Sequence, residues 1–574
     1  MKKFFKKEYI FIIFVFAFVL STILLNPLGD LDEIWNYNVA RNIAKGLIPY
    51  KDISTITTPF LPMLNSLFLK FFADELIVMR VLASALITAI VYTIYKILKK
   101  VTGESNISII VAFMFLLLLR KNYCIDYNYM TLFLAFLLAY LELRNNSSIR
   151  RNKDETRLEN NKTKNNKKEI DKKVIVHEIL QGVLAGLAVC TKQSVGFFIA
   201  IATLIFPVTQ RSTLKKMGLR ISGMAIPGIL LIIYFTVTGA WSEFFSYAVN
   251  GISTFSNTIP YKMLYKENNI IEVLARTLPV VIVFIIIITI IFLIKNYKRI
   301  KVDSEDVKEK DEDVDELSKK AIAKYFNKYR FQKNIIILTI YSLPMLIMIY
   351  PIADKIHFLI GSLMVWVEFT YIVLYFFKTI LSKIVDKIIN KTKTNKLNEL
   401  EIENEETRVK SVVRYIYKSM TIIICIVFVD VIVSGICQNV MLYNKEDINK
   451  EISHYKGIEV PNNLKERIAA IEEFTNRMKK ENKKVYILDA EAAVYNIPLD
   501  VYIKNYDMFL KGNIGKYGED GIIEQIKNDE DNIVYLIKQE GHALNWQTPT
   551  KVIEYVKNNM KELEKVDIFV AMEK

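Results

Sequence analysis

The chain is 574 residues long, 52% hydrophobic and 24% charged, with a formal net charge of +15. Its apolar and charged residues are segregated into separate long runs and its mean hydropathy is +0.23. This excludes a purely soluble enzyme, a disordered chain and a fibrous repeat, and predicts a polytopic membrane protein with soluble parts. The basic excess lies in loops between apolar runs, as the positive-inside rule requires, so a nucleic-acid partner is rejected. The 4 cysteines form no CxxC and no close pair, which excludes a disulfide scaffold and a zinc ribbon.

The N-terminal MKKFFKKEY precedes an apolar run from Ile10 to Leu25 that no small-x-small cleavage site follows. It reads as an uncleaved anchor with its basic end inside. Runs of near-spanning length follow at 77–98, 106–120, 129–143, 176–191, 194–208, 218–238, 270–294, 334–350, 357–378 and 415–437. The stretch 59–73 opens with Pro59 and Pro62 and predicts a re-entrant or interfacial helix. The Lys/Arg-rich segments 144–173, 295–333 and 379–414 belong in the cytoplasm, which places 27–76, 120–128, 192–193, 239–269 and 351–356 outside. Beyond residue 437, β-type runs from Val485 to Asp489, Val534 to Lys538 and Val566 to Met572 alternate with helical stretches at 461–482, 519–528 and 549–565. The expected architecture is an all-α polytopic membrane bundle of about eleven transmembrane helices over 1–437, with an extracytoplasmic α/β domain over 438–574. The N-terminus is expected in the cytoplasm and the multi-pass chain in the plasma membrane.

The first outer loop, 27–76, is the most informative segment. GDLDEIWNYNVARNIAKGLIPYKD, Gly29 to Asp52, predicts an interfacial helix from Glu33 to Lys45. Trp35, Val39, Ile43 and Leu47 form one stripe, while Asn38, Arg41, Asn42 and Lys45 fall largely away from it. Gly46 ends the helix and Pro49 prevents its resumption. Asp30, Asp32 and Glu33 stand at its start, and Asp52 follows the Pro-Tyr turn at Tyr50. Asp30 with Glu33 has the spacing of a capping box, and acids suit a helix N-terminus. Capping requires neither Asp32 nor Asp52. Carboxylates held at the membrane interface suit removal of a proton from an acceptor hydroxyl while a second substrate stays in lipid.

A first span, then D-E opening an interfacial helix, then G-x-x-P-Y-x-D and a Pro-initiated apolar helix, resembles the GT-C superfamily. These are integral-membrane glycosyltransferases that use polyprenyl-phosphate-linked sugars; protein O-mannosyltransferases and lipid A aminoarabinose transferases are among them. The resemblance covers the first loop well and the span pattern to residue 437 loosely. It implies Asp32 as the catalytic carboxylate with Glu33 beside it, Asp30 as a substitute and Asp52 as a supporting acid. Thr57-Thr58-Pro59 stands where the aminoarabinose transferases carry Lys-Pro-Pro, which weakens the case for the same acceptor.

Three further outer turns supply candidates. In CTKQSVG, Cys190 to Gly196, Lys192 and Gln193 occupy a two-residue turn between apolar runs. A snorkelling lysine at a helix end is one reading; a cation with an amide donor holding a phosphate is the other, and the T-K-x turn of the resembled family implies donor-phosphate binding. In YPIADKIHFLIG, Tyr350 to Gly361, Asp354, Lys355 and His357 are either interfacial residues or contacts to the leaving phosphate or a hydroxyl. Asp126 and Tyr127, in KNYCIDYNY, are candidates for sugar or acceptor contact. Asn545-Trp546-Gln547 offers a stacking platform in the tail, and His454 and His542 lack metal-ligand spacing and read as structural. No metal site is assigned; the resemblance leaves a divalent cation open as a cofactor, since some GT-C members use one and others do not.

The expected reaction is transfer of a sugar from a polyprenyl-phosphate donor to a hydroxyl of an envelope glycan, lipid or protein acceptor, with inversion at the anomeric carbon. Asp32 acts as general base, and Lys192, with Lys355 or His357 and backbone N–H groups, meets the leaving phosphate. A transporter or flippase of lipid-linked sugars is the rival reading. It calls for repeated halves and ionisable residues at mid-membrane, whereas Arg80, Glu368 and Asp430 are scattered and lie mostly towards the run ends.

Overall fold

The structure is a computed structural model that describes residues 2–119, 123–158, 164–209, 214–251, 258–267, 269–302, 316–394, 448–530 and 532–574. Among these residues seven helices are long and apolar enough to cross a membrane: Lys7–Leu24, Leu76–Thr102, Lys172–Thr191, Leu214–Thr238, Ile270–Lys295, Arg330–Ile349 and Lys355–Ile380. The expected run 415–437 lies outside the described residues. The runs at 106–120 and 194–208 form the shorter apolar helices Ser105–Leu119 and Gln193–Ile205. The run at 129–143 forms the first part of a helix over Tyr127–Leu158. Leu132, Ala135, Phe136, Leu138 and Ala139 are buried there, so this helix packs among protein neighbours and tolerates a more polar composition. Phe60–Phe71 has 12 residues; about 18 Å of helix falls short of a hydrocarbon core of about 30 Å.

In chain order the helices used below are α1 (Lys2–Leu24), α2 (Leu31–Ala44), α3 (Phe60–Phe71), α4 (Leu76–Thr102), α5 (Ser105–Leu119), α6 (Tyr127–Leu158), α7 (Lys164–Thr191), α8 (Gln193–Thr209) and α9 (Leu214–Thr238). After a short α10 (Trp241–Phe244) come α11 (Ile270–Val302), α12 (Glu316–Met345) and α13 (Lys355–Thr394). α4 is central: Met79, Ala83, Ile87, Ile90, Ile94 and Ile97 are fully buried and it packs against α1, α5, α6 and α13. α9 and α11 are peripheral and turn Ile229, Leu230, Ile233, Val280, Val283 and Ile287 outward, as lipid-facing helices do. Gly182 and Gly186, one turn apart on α7, let α9 come close, because a Cβ at either would collide with the backbone of Arg220 or Met224.

Two arginines inside the bundle carry buried ion pairs. Arg220 on α9 pairs with Glu178 at 2.7 Å and Glu142 at 2.5 Å. Arg80 on α4 donates from Nε and Nη2 to the two Glu33 oxygens at 3.0 and 2.9 Å, and from Nη1 to the carbonyls of Ile23 and Asn26 at 2.9 and 2.7 Å. It therefore joins the end of α1, the start of α2 and α4.

The C-terminal region forms a four-stranded sheet ordered β1-β2-β4-β3, from β1 (Lys484–Ile487), β2 (Ile533–Lys538), β3 (Lys561–Val566) and β4 (Phe569–Glu573). β1 and β2 are parallel, as the alternating pattern predicts, and the other pairings are antiparallel. One face packs Val485, Ile487, Val534 and Leu536 with Ile468, Ile471 and Phe474 of α14 (Asn462–Lys480). After a short α15 (Ala492–Asn496), helices α16 (Gly518–Asn528) and α17 (Thr550–Asn559) cover the other face. The helix expected over 549–565 stops at Asn559, and residues 561–566 are strand instead. Asp567, at φ 50, turns the chain into a hairpin, and pairing with β4 overrides the helical preference of KELEK.

Arg80→Ala leaves Glu33 buried without its cation and is expected to cost about 3–5 kcal/mol, whereas Arg80→Met together with Glu33→Gln costs less. Thermal unfolding of the detergent-purified protein checks this; an unchanged melting temperature for Arg80→Ala contradicts it.

Candidate active site

α2 begins at a cap. Asp30 is extended, and its carboxylate accepts the N–H groups of Asp32 at 3.0 Å and Glu33 at 3.3 Å. This is the capping reading of Asp30, and it uses that carboxylate structurally. Glu33 then turns into the bundle and is held by both ends of the Arg80 guanidinium. Asp52 accepts the N–H of Ile48 at 2.8 Å and shapes the turn behind α2. Tyr50 adopts φ 67, is fully buried, donates its hydroxyl to the Thr57 carbonyl at 2.6 Å and meets Phe235 and Phe244 edge-on. The expected substrate contacts Tyr50 and Asp52 thus have loop-building partners, since a chain reversed by Gly46 and Pro49 needs both to hold it.

Asp32 differs from the other acids of the loop. It is half-buried, and among the described residues no donor bonds its carboxylate. Desolvation first, then the charges of Asp126, Asp30 and Asp354, push it well above the usual carboxylate range, while Lys192 pulls it back. The same partners recur from the other side. Desolvation lowers Lys192 to about 8, against the pull of Asp126, Asp32 and Asp354. Asp126 feels Lys192 and His357. Four segments distant in sequence thus bring Asp32, Asp126, Lys192 and Asp354 within electrostatic reach of one another.

Each of these side chains is positioned by its own turn. Asp126 caps α6, accepting the N–H of Tyr129 at 2.9 Å and the Asn128 amide at 2.8 Å. Lys192 sits between α7 and α8, 5.1 Å from the centre of the Tyr127 ring, and its ammonium donates to Asn128 Oδ1 at 2.6 Å. Gln193 points elsewhere: its amide donates to the carbonyls of Ile56 and Ala248 at 2.7 and 3.0 Å and accepts the N–H of Thr58 at 3.3 Å. It pins the first loop to the α7–α8 turn and has no amide donor left for a phosphate. Asp354 caps α13 and holds His357 Nδ1 at 2.9 Å; burial raises this carboxyl, but the bond and charge of His357 outweigh it and leave it below its usual value. Lys355 turns away to an ion pair with Glu267 at 2.5 Å.

The C-terminal region covers α2. Trp35 Nε1 donates to the Ala490 carbonyl at 2.9 Å and Asn38 donates to Asp507 at 2.8 Å. Burial pushes Asp507 up to about 6, against the bonds from Asn38, Asn496 and the Ile503 N–H. Arg41 donates to Asp74, to Asp500 at 2.8 Å and to His454 Nε2 at 3.0 Å, and Lys45 also pairs with Asp500. Asn38 and Arg41, expected on a solvated face, are therefore buried. Among the described residues Asp74, His454 and Asp500 are grouped with metal-ligand spacing, their ligand atoms within 4.8 Å. Arg41 and Lys45 already neutralise that group, so it is an ion-pair knot and fits a cation poorly. Asp30, Asp32, Glu33 and Asp52 are dispersed among the partners above. Asn128, Asp74, Asp500 and Asp507 were missed in the sequence; only the position of Asn128, two residues beyond a candidate acid, offered a signal.

No family model matches this chain, and no curated protein matches it. Among solved structures it is similar to ArnT from Cupriavidus metallidurans bound to undecaprenyl phosphate, at 10% identity and a TM-score of 0.49, covering 98% of this chain and 97% of that one. It is also similar to ArnT from the same organism in the apo state, at 10% identity and a TM-score of 0.47, covering 97% and 96%. The likeness runs the length of both chains and does not by itself carry an activity.

Gln193→Leu removes both donors and the acceptor that tie 56–58 to 248, at an expected cost of about 1–3 kcal/mol for the backbone groups left unpaired. Hydrogen exchange of residues 54–58 is expected to rise; unchanged protection there contradicts the pinning role.

Proposed function

We propose that the protein is a GT-C-type glycosyltransferase that moves a sugar from a polyprenyl-phosphate donor to an acceptor hydroxyl at the outer face of the plasma membrane. The observation that supports this best is the cluster of Asp32 and Lys192: a carboxylate that no protein donor bonds among the described residues, beside a cation whose only hydrogen bond there is to a neutral amide. Glu33, Asp30 and Asp52 are assigned to holding the loop. In the proposed topology about eleven helices span the bilayer, with the N-terminus and the Lys/Arg-rich segments in the cytoplasm. Residues 1–437 form the transferase bundle, and the α/β region over 438–574 caps the outer end.

The step balances as a single displacement. The acceptor hydroxyl gives its proton to the Asp32 carboxylate while its oxygen bonds the anomeric carbon, and the bond from that carbon to the phosphate oxygen breaks with its electron pair. The leaving polyprenyl phosphate carries away a negative charge, which the Lys192 ammonium meets. A raised Asp32 suits this role, because a carboxylate of higher pKa holds the transferred proton more firmly. Attack opposite the leaving group inverts the anomeric centre.

Asp32→Asn is expected to lower turnover by about 100- to 10,000-fold, the range for loss of a positioned base. Mass spectrometry of envelope glycans should find a sugar that is absent without this protein, restored by the wild type and not by the variant; full restoration by Asp32→Asn removes Asp32 as the base. Rate against pH is expected to be bell-shaped. It rises as Asp32 loses its proton and falls above about 8, where Lys192 loses its own. Lys192→Met should lower the whole curve and abolish the alkaline fall, and a fall that persists assigns it to another group.

A further inference from the structure

Asn128 bridges Asp126 and Lys192 and is almost wholly buried, at 1% exposure. Its Nδ2 donates to Asp126 Oδ2 at 2.8 Å, and its Oδ1 accepts from Lys192 Nζ at 2.6 Å. A carboxamide does both at once in either protonation state of its neighbours, and the two partners settle which end is which: a carboxylate needs the donor and an ammonium needs the acceptor. Asp126 is itself fixed as the cap of α6, so Asn128 has a rigid support on one side.

The bond to Asn128 has an electrostatic consequence. Asp32, Asp126 and Asp354 all act on Lys192, yet among the described residues the ammonium forms no direct ion pair. It uses one of its three donors on a neutral oxygen and rests beside the Tyr127 ring. A lysine clamped by a carboxylate is already neutralised and offers little to a second anion. A lysine held by an amide keeps its full charge in a weakly screened place, with two N–H donors left.

We infer that Asn128 is a positioning residue, whose amide holds the Lys192 ammonium clear of the surrounding carboxylates so that its remaining donors meet the phosphate of the lipid donor. The inference rests on the reading of Lys192 as the donor-phosphate contact. Asn128→Asp is the sharpest variant, being nearly identical in shape. It replaces the donor with an acceptor, sets a second carboxylate against Asp126 and offers Lys192 a direct ion pair. At lower pH the new carboxyl takes up a proton, regains one donor and one acceptor, and restores the original pattern.

Two measurements on the full-length protein in detergent test this. The first is the rate at which acetic anhydride acetylates Lys192, followed by peptide mass spectrometry, which needs no substrate. At pH 8 Asn128→Asp is expected to slow it about fivefold, since a rise of one pKa unit from about 8 takes the free amine from about a half to about a tenth. Asn128→Leu, which lets Lys192 swing to a carboxylate, is expected to slow it as well. The second is binding of undecaprenyl phosphate, expected about tenfold weaker than wild type in Asn128→Asp at pH 8 and close to wild type at pH 6; a variant that has merely lost its packing is not restored by acid. Unchanged acetylation in both variants overturns the positioning role whatever the binding. Slowed acetylation with a wild type that binds no undecaprenyl phosphate overturns the phosphate reading of Lys192, and with it the purpose assigned to Asn128.

Discussion

Arg80 is a cation placed inside a helix bundle, where stripping an ion of water costs several kcal/mol unless close partners replace the lost hydration. Its four hydrogen bonds to Glu33, Ile23 and Asn26 meet that demand and fix three chain segments in the process. Ile23 and Asn26 lie where α1 ends, Glu33 lies in the first turn of α2, and Asp32 is the residue before it. The direction in which Asp32 projects is therefore set by a contact it does not make. Desolvation raises both acids, and they differ in their partners. Glu33 is satisfied by a fork of two N–H groups and is chemically quiet. Asp32 has electrostatic neighbours but no donor among the described residues, and its affinity for a proton rises.

Three buried or half-buried cations around the loops show a division of labour. Arg80 is bound by two oxygens of one carboxylate and two carbonyls. Arg41 is shared between Asp74, Asp500 and His454 and ties α2 to the C-terminal region. Lys192 alone among them has no carboxylate partner among the described residues and is held by an amide oxygen. The arginines suit rigid, many-pronged contacts through their planar fork, and the lysine is a compact charge on a flexible stem.

Much of the bundle was legible in the sequence because lipid imposes a coarse rule: long apolar runs separated by charged loops. Seven runs appear as helices of spanning length among the described residues, and the alternation of strand and helix beyond residue 437 appears as a sheet covered on both faces. What escaped was pairing between distant residues. Asp32 and Asp30 were told apart by spacing, since a cap needs only one of them. Glu33 could not be separated from Asp32, because its partner Arg80 sits 47 positions away within an apolar run. The bonds of Gln193 to the Ile56 and Ala248 carbonyls escaped as well, since nothing local reveals which way its amide faces. Asn38 and Arg41 were assigned to a wetted face because a helical wheel sees one helix, not the domain that lands on it.

That landing sets an order of events during synthesis. Asn38 finds Asp507 across 469 positions and Arg41 finds Asp500 across 459. While the ribosome makes everything between, the Asn38 amide waits for its carboxylate and the Arg41 guanidinium has Asp74 alone for an acid. A nascent or shortened protein that ends before those aspartates leaves the polar side chains of α2 without these partners. The last quarter of the polypeptide thus completes the surroundings of a helix made near its beginning.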